Sequence, residues 1–204
     1  AGGTVSVVAS HEDDKAAYSA DVAALSAGGS ATLAVLGYAD TGGRGIIAAS
    51  EDTGAFTDYI FGDGMISEVT SSAVGDGSWG AKPSPSADLQ AAWELVATAG
   101  GVDGSGVYSG ESYDAMALII LAAQAAGSTD RAAIQAEIMG IANGPGIECH
   151  AGELGTCLKY ISGGLVVDYV GATGVNLDAS GTPNGSYAEQ EVIAGAFTTL
   201  TVHN

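Results

Sequence analysis

The order of apolar and polar positions divides the chain into short elements. Val5 to Ala9 is a β-branched run that reads as a strand, and a polar stretch follows it. A helical pattern then runs through Tyr18, Val22 and Leu25 and stops at Gly28-Gly29. Leu33 to Leu36 predicts a second strand, about Ile46 to Asp52 a helix ending at Gly54, and Tyr59 to Phe61 a third strand. This series is β-α-β-α-β, with strands apolar throughout, as a parallel sheet buried on both faces requires. Residues 71–86 carry two of the four prolines among glycines and serines, the composition of a crossover between lobes. Helices are predicted near 87–99, 111–126, 130–140 and 152–162. The tail returns to short strands at Val166 to Val170, Val175 to Leu177, Tyr187 to Val192 and Phe197 to Val202, with a turn over 178–185. No fixed-period repeat is present.

The longest apolar run, Ala115 to Ala123, is too short for a bilayer, which takes about 20 residues, and is expected to be a core helix. A chain of 204 residues, 47% hydrophobic and 14% charged, is long enough to bury one core or to form two small lobes. Five Lys plus Arg stand against 24 Asp plus Glu, a net charge of -19. A field of that sign repels nucleic-acid phosphates and anionic lipid, so neither is expected as a partner. The acidity fits solubility in salty surroundings, or else an acidic recognition surface. The first eight residues contain no charged segment followed by an apolar one, so any export signal is expected to have been removed or to lie outside this sequence.

The two cysteines, Cys149 and Cys157, lie in one short segment with His150 and Glu153 between them. A bridge there would suit an oxidising compartment. Two free thiols, or a metal held by Cys149, His150, Glu153 and Cys157, are the other readings. The paired Cys-x-x-Cys spacing of structural zinc sites is missing, so no metal is expected. Asp178, Ser180 and Asn184 offer oxygens but lack the closing glutamate of a calcium loop, which leaves a plain turn.

Catalytic motifs do not fit. After Gly42-Gly43-Arg44-Gly45 comes Ile46, where a phosphate-binding Walker loop needs Lys and then Ser or Thr. The glycines at 37, 42, 43 and 45 do not make a dinucleotide fingerprint, and Gly-x-Ser-x-Gly is absent. Ser109 is expected in a loop before a helix, and Ser112 as the residue capping it. His11, His150 and His203 have no visible nucleophile beside them and are expected on the solvated surface. What remains is a pair of strand ends, Gly37-Tyr38-Ala39-Asp40 and Gly62-Asp63-Gly64, at the carboxyl edge of one parallel sheet, where open α/β sheets bind ligands. Tyr38 offers a ring face and a hydroxyl, Asp63 a negative charge for an ammonium group, and the amides of 42–45 a small positive dipole.

Taken in order, several segments resemble the type I periplasmic solute-binding proteins of ABC transporters, in the branched-chain amino-acid group. They are Leu33-Ala-Val-Leu-Gly-Tyr38, Gly43-Arg44-Gly45-Ile-Ile, Phe61-Gly-Asp63-Gly64-Met65, Tyr108-Ser-Gly-Glu-Ser-Tyr113-Asp114-Ala115 and Asp168-Tyr-Val-Gly171-Ala-Thr-Gly174. The resemblance implies an α/β fold of parallel sheets flanked by helices in two lobes, with 1–78 and 185–204 in the second lobe and 79–184 in the first. It implies capture of a small polar solute, such as an amino acid, for delivery to a membrane permease. It implies no catalysis and no cofactor, and a periplasmic, exported location. Tyr38 and Asp63 match the aromatic and the acid that contact the ligand, with Gly37 and Gly64 beside them. Family members are nearly twice as long, so an incomplete chain is expected. A ligand-sensing receptor domain of the same fold and a small α/β enzyme are the rival readings.

Overall fold

Residues 3–203 are described by a computed structural model, apart from the side chain of Glu68. In chain order the elements are α1 (Ser19–Ser26), β1 (Thr32–Val35), α2 (Arg44–Thr53), β2 (Asp58–Phe61), α3 (Glu68–Ala73), β3 (Trp79–Pro83) and α4 (Ala87–Ala99). They continue as α5 (Ser109–Ala126), α6 (Arg131–Ala142), β4 (Ile147–His150), α7 (Leu154–Ser162), β5 (Val167–Gly171), β6 (Tyr187–Ile193) and β7 (Ala196–His203). They fall into two units, Ala1–Lys82 with Ala188–Thr201 and Pro83–Tyr187 with Val202–Asn204.

The first unit is built on a five-stranded sheet in the order β1-β2-β3-β6-β7. β1 and β2 are parallel, with Leu33 opposite Tyr59 and Val35 opposite Phe61, and β2 pairs parallel with β3. β6 and β7 are joined by Ala194-Gly195, both at positive φ, the two-residue turn whose twist matches an antiparallel hairpin. α2 ends at Gly54, whose φ of 60° lets its N–H reach back to the Glu51 carbonyl, a left-handed cap that favours glycine. Tyr18, Val22, Ile46 and Ile47 pack with Leu33, Val35, Tyr59 and Phe61 into one core.

Three expectations change here. The strands alternate in burial, with Leu33 and Val35 buried but Thr32 and Ala34 exposed, so β1 is covered on one face. An apolar composition cannot say which face finds cover; packing decides it. Val5 to Ala9 forms no strand, and Val8 is 84% exposed. β-Branched residues suit a pleated surface, but a strand exists only against a partner, and none pairs with this run. The 71–86 stretch is more than a crossover, because Trp79–Pro83 is a strand of the sheet.

In the second unit, β4 and β5 form a two-stranded parallel sheet against α5, α6 and α7. Cys149 of β4 and Cys157 of α7 are joined by a disulfide, both buried. Closing a loop of sequence separation 8 stabilises by about 2.5 kcal/mol on the chain-entropy account. Asp114 of α5 is buried and accepts four hydrogen bonds, from Tyr169 Oη (2.7 Å), Ala172 N (2.8 Å), Thr173 N (2.9 Å) and Thr173 Oγ1 (2.8 Å), which fastens the end of β5 to the helix. Ser109 and Ser112 are both inside α5, not before it. No side chain caps the helix; Ser109 Oγ instead donates to the Asp103 carbonyl and accepts from Trp93 Nε1. The α5 run expected in the core is buried on one side only, through Ala117, Leu118, Leu121 and Ala122. At Asp178 the carboxylate accepts from Ser180 N, Ser180 Oγ and Thr182 N, the pattern of a plain Asx turn.

Candidate functional site

In-register pairing of β1 and β2 brings both strands to the carboxyl edge of the sheet at the same level, with Gly62 N donating to the Val35 carbonyl. Two turns leave from that edge. After β1, Ala39–Gly43 makes a wide turn closed by Gly43 N donating to the Tyr38 carbonyl at 3.0 Å, and α2 begins at once. After β2, Asp63–Met65 makes one tight turn, with Ile66 N on the Asp63 carbonyl at 3.0 Å.

These turns touch. A side chain at Gly64 would run into the Gly37 carbonyl and the Tyr38 ring, and one at Gly43 into the Met65 thioether. Gly37, Tyr38, Asp63 and Gly64 are therefore neighbours in space. The Tyr38 ring is 69% exposed, and Asp63 is half-buried. An aromatic face standing in water is suited to a small cation such as an ammonium group, and an acidic residue on the adjoining turn has the charge to match it. The amides of 42–45 are less available than expected, because the Gly43 N–H is taken by the Tyr38 carbonyl.

A second layer that sequence reasoning missed lies against these turns. The segment from His11 to Tyr18 has no regular structure but is strapped across the Tyr38–Gly45 turn. Asp14 N donates to the Thr41 carbonyl, and the Tyr18 ring fills the space that a side chain at Gly42 or Gly45 would need. Tyr18 Oη donates to the Glu12 carbonyl and accepts from Lys15 N, both at 3.0 Å. His11 is not a solvated histidine: its side chain is 22% exposed and packs on Gly37 and Gly42, edge-on to Tyr18. The signal was present in three glycines, 37, 42 and 45, which leave room for rings from elsewhere. Nothing in the sequence names those rings. Thr41 Oγ1, in the same turn, is buried without a hydrogen-bond partner among the described residues.

Lys15 and Asp21 pair at 2.7 Å, which raises the lysine pKa and lowers that of the aspartate through the hydrogen bond between them. Arg44 pairs with Asp40 at 2.9 Å on the exposed side of the wide turn. Beneath the site, Tyr59 shares hydrogen bonds with Ser50 and Glu51, and burial pushes its phenol up to about 12.

No profile of a known protein family matches the sequence. No curated protein matches it in sequence either. Solved structures do match in shape. A leucine-binding protein from Thermotoga maritima superposes with a TM-score of 0.63 at 20% identity, over 94% of this chain and 49% of its own. A solute-binding protein of an ABC transporter from R. palustris, solved with benzoate, superposes with a TM-score of 0.60 at 14% identity, over 93% of this chain and 47% of its own. The fold is that of the type I periplasmic binding proteins. This chain spans about half the length of the two structures it matches. The type I architecture inferred from the segments around Tyr38, Asp63, Tyr113 and Asp168 thus stands at the level of fold.

Proposed function

We propose that this chain is part of a solute-binding protein that captures a small polar molecule, an amino acid in the first instance, and hands it to an ABC permease. In this reading the protein is not an enzyme, works in the periplasm after export, and needs no cofactor. Residues 1–78 with 185–204 belong to one lobe and 79–184 to the other. Tyr38 and Asp63 form one wall of the solute site, Asp63 pairing with the ammonium group and Tyr38 covering it with its ring, while Gly37 and Gly64 keep the wall flat enough for close approach.

The observation that carries the reading is the contact between the two turns, which brings the segment of the exposed Tyr38 and the segment of Asp63 together at the carboxyl edge of a parallel sheet. The two superposed structures support it, one being a leucine-binding protein and the other a solute-binding protein solved with benzoate. Titration calorimetry with a panel of amino acids tests it. In the full-length protein, Asp63→Asn should weaken binding of the best ligand by about 2 kcal/mol, close to thirtyfold, and alter folding stability much less than that. Equal affinity in the variant rejects the assignment of Asp63.

A further inference from the structure

Asparagine is a chemically labile side chain, and most so before glycine, where no Cβ crowds the approach of the next backbone nitrogen to the side-chain amide. The chain has two such pairs, Asn143-Gly144 and Asn184-Gly185. Both asparagines are exposed, so burial does not distinguish them. Hydrogen bonding does.

Asn143 follows the last residue of α6, and its side chain is held at both ends: Nδ2 donates to the Leu177 carbonyl and Oδ1 accepts from Leu177 N, each at 2.8 Å. Turning Cγ toward the Gly144 nitrogen would break both bonds. Asn184 is held through its backbone alone. Its N–H donates to the Asn176 carbonyl at 2.9 Å, beside the bridge between Leu177 and Pro183, and the chain is next fixed where the Ser186 carbonyl accepts from Ser84 N. Between those two points neither the Asn184 side chain nor the Gly185 N–H has a hydrogen-bond partner among the described residues. Gly185 is also uncrowded, since a Cβ there would come no nearer than 3.7 Å to the Tyr187 ring.

We propose that Asn184 is a site of self-modification, at which the protein passes through a cyclic imide to aspartyl and isoaspartyl forms with water as the co-reactant, while Leu177 protects Asn143. The Gly185 nitrogen gives its proton to solvent base and bonds to Asn184 Cγ. The Cγ–Nδ2 bond then breaks, and Nδ2 takes up a proton and leaves as ammonia. Water opens the ring at one of its two carbonyl carbons. Opening at Cγ breaks the new bond to Gly185 and leaves an ordinary aspartate. Opening at the backbone carbonyl carbon breaks the original peptide bond, so that the chain runs on through Cγ, one atom longer, with a free α-carboxylate. Nothing is oxidised or reduced, and either product adds a negative charge to a chain already at -19. The added atom falls within 184–186, which belong to no helix or strand. Neither the solute site nor any ligand enters this chemistry.

The test incubates the folded protein, and the same protein in urea, at mildly alkaline pH in heavy-oxygen water, and follows both asparagines by peptide mapping and mass spectrometry. In the folded protein Asn184 should give aspartate and isoaspartate, each with one heavy oxygen, at a rate within a few fold of that in urea. Asn143 should convert about tenfold more slowly than Asn184 while folded and match it in urea, where both bonds to Leu177 are gone. Gly185→Ala, which the open space admits, should slow conversion of Asn184 severalfold. Asn184 left intact in the folded protein overturns the proposal, as does folded Asn143 converting as fast as Asn184. Aspartate at 184 without isoaspartate also overturns it, since that is direct hydrolysis with no imide.

Discussion

The ring of Tyr38 lies across Gly64, so closely that a methyl group at position 64 would stand 2.8 Å from Tyr38 Cδ1 and 2.5 Å from the Gly37 carbonyl oxygen. The second contact is with backbone and has no rotamer to escape into. Gly64→Ala should therefore cost about 1–3 kcal/mol, the range for overpacking, and push the two turns apart. Gly62 is a control two residues away, where the nearest atom, Leu36 Cδ2, would be 3.5 Å off. Gly62→Ala should be neutral or stabilising by up to about 1 kcal/mol. Denaturant unfolding of both variants separates close approach from a general need for glycine, and equal midpoints would refute the contact.

In the second unit the carboxylate of Asp114 collects four donors and no described acceptor competes for them. Asp114→Asn replaces one acceptor oxygen by an NH2 group that faces a donor, and should cost about 2–3 kcal/mol. Tyr169→Phe removes one of the four bonds and should cost about 1–2 kcal/mol. Urea midpoints that reverse this order would show that the network is not centred on Asp114.

Alkaline pH should expose the buried phenol of each unit, Tyr59 in the first and Tyr169 in the second. Burial raises Tyr59 to about 12, and burial together with the nearby Asp114 carboxylate raises Tyr169 further. A pKa raised on folding contributes stability that is complete below the unfolded value near 10 and is lost as pH climbs through the folded value. Of eight tyrosines, Tyr59 and Tyr169 should ionise late and only as the protein unfolds. Absorbance near 295 nm and circular dichroism followed together check this; full ionisation near pH 10 with the fold intact would contradict it.

Ionic strength has a definite sign here. Only Lys15–Asp21 and Arg44–Asp40 are Lys or Arg ion pairs among the described residues, whereas the net charge is -19. Salt weakens such exposed pairs slightly but screens the repulsion, with a Debye length falling from about 10 Å at 0.1 M to about 3 Å at 1 M. The melting temperature should rise by several degrees across that range of potassium chloride. A fall would mean that the pairs outweigh the self-repulsion.

Much of the candidate site was legible because it depends on local order. Leu33 to Leu36 and Tyr59 to Phe61 read as strands, Gly54 as a helix end, and the residues directly after each strand lead into the turns that carry Tyr38 and Asp63. His11 and Tyr18 were not legible as part of that neighbourhood, because the glycines that admit their rings lie 24 to 31 positions away in sequence. Trp79–Pro83 read as linker because glycine and proline conceal a strand whose partners are β2 and β6.

By itself the sequence determined most of the helices and the strands β1, β2, β5, β6 and β7 to within a few residues, the acidic field that turns away phosphate, and the order of segments that marks the type I architecture. These follow from periodicity, turn chemistry and summed charge, which need no knowledge of neighbours. Only the tertiary structure decided that Val5 to Ala9 stays unpaired, that β1 is covered on one face, and that α5 shows Met116 and Ile119 to solvent. Burial and strand pairing belong to two surfaces at once, and one stretch of chain specifies only its own.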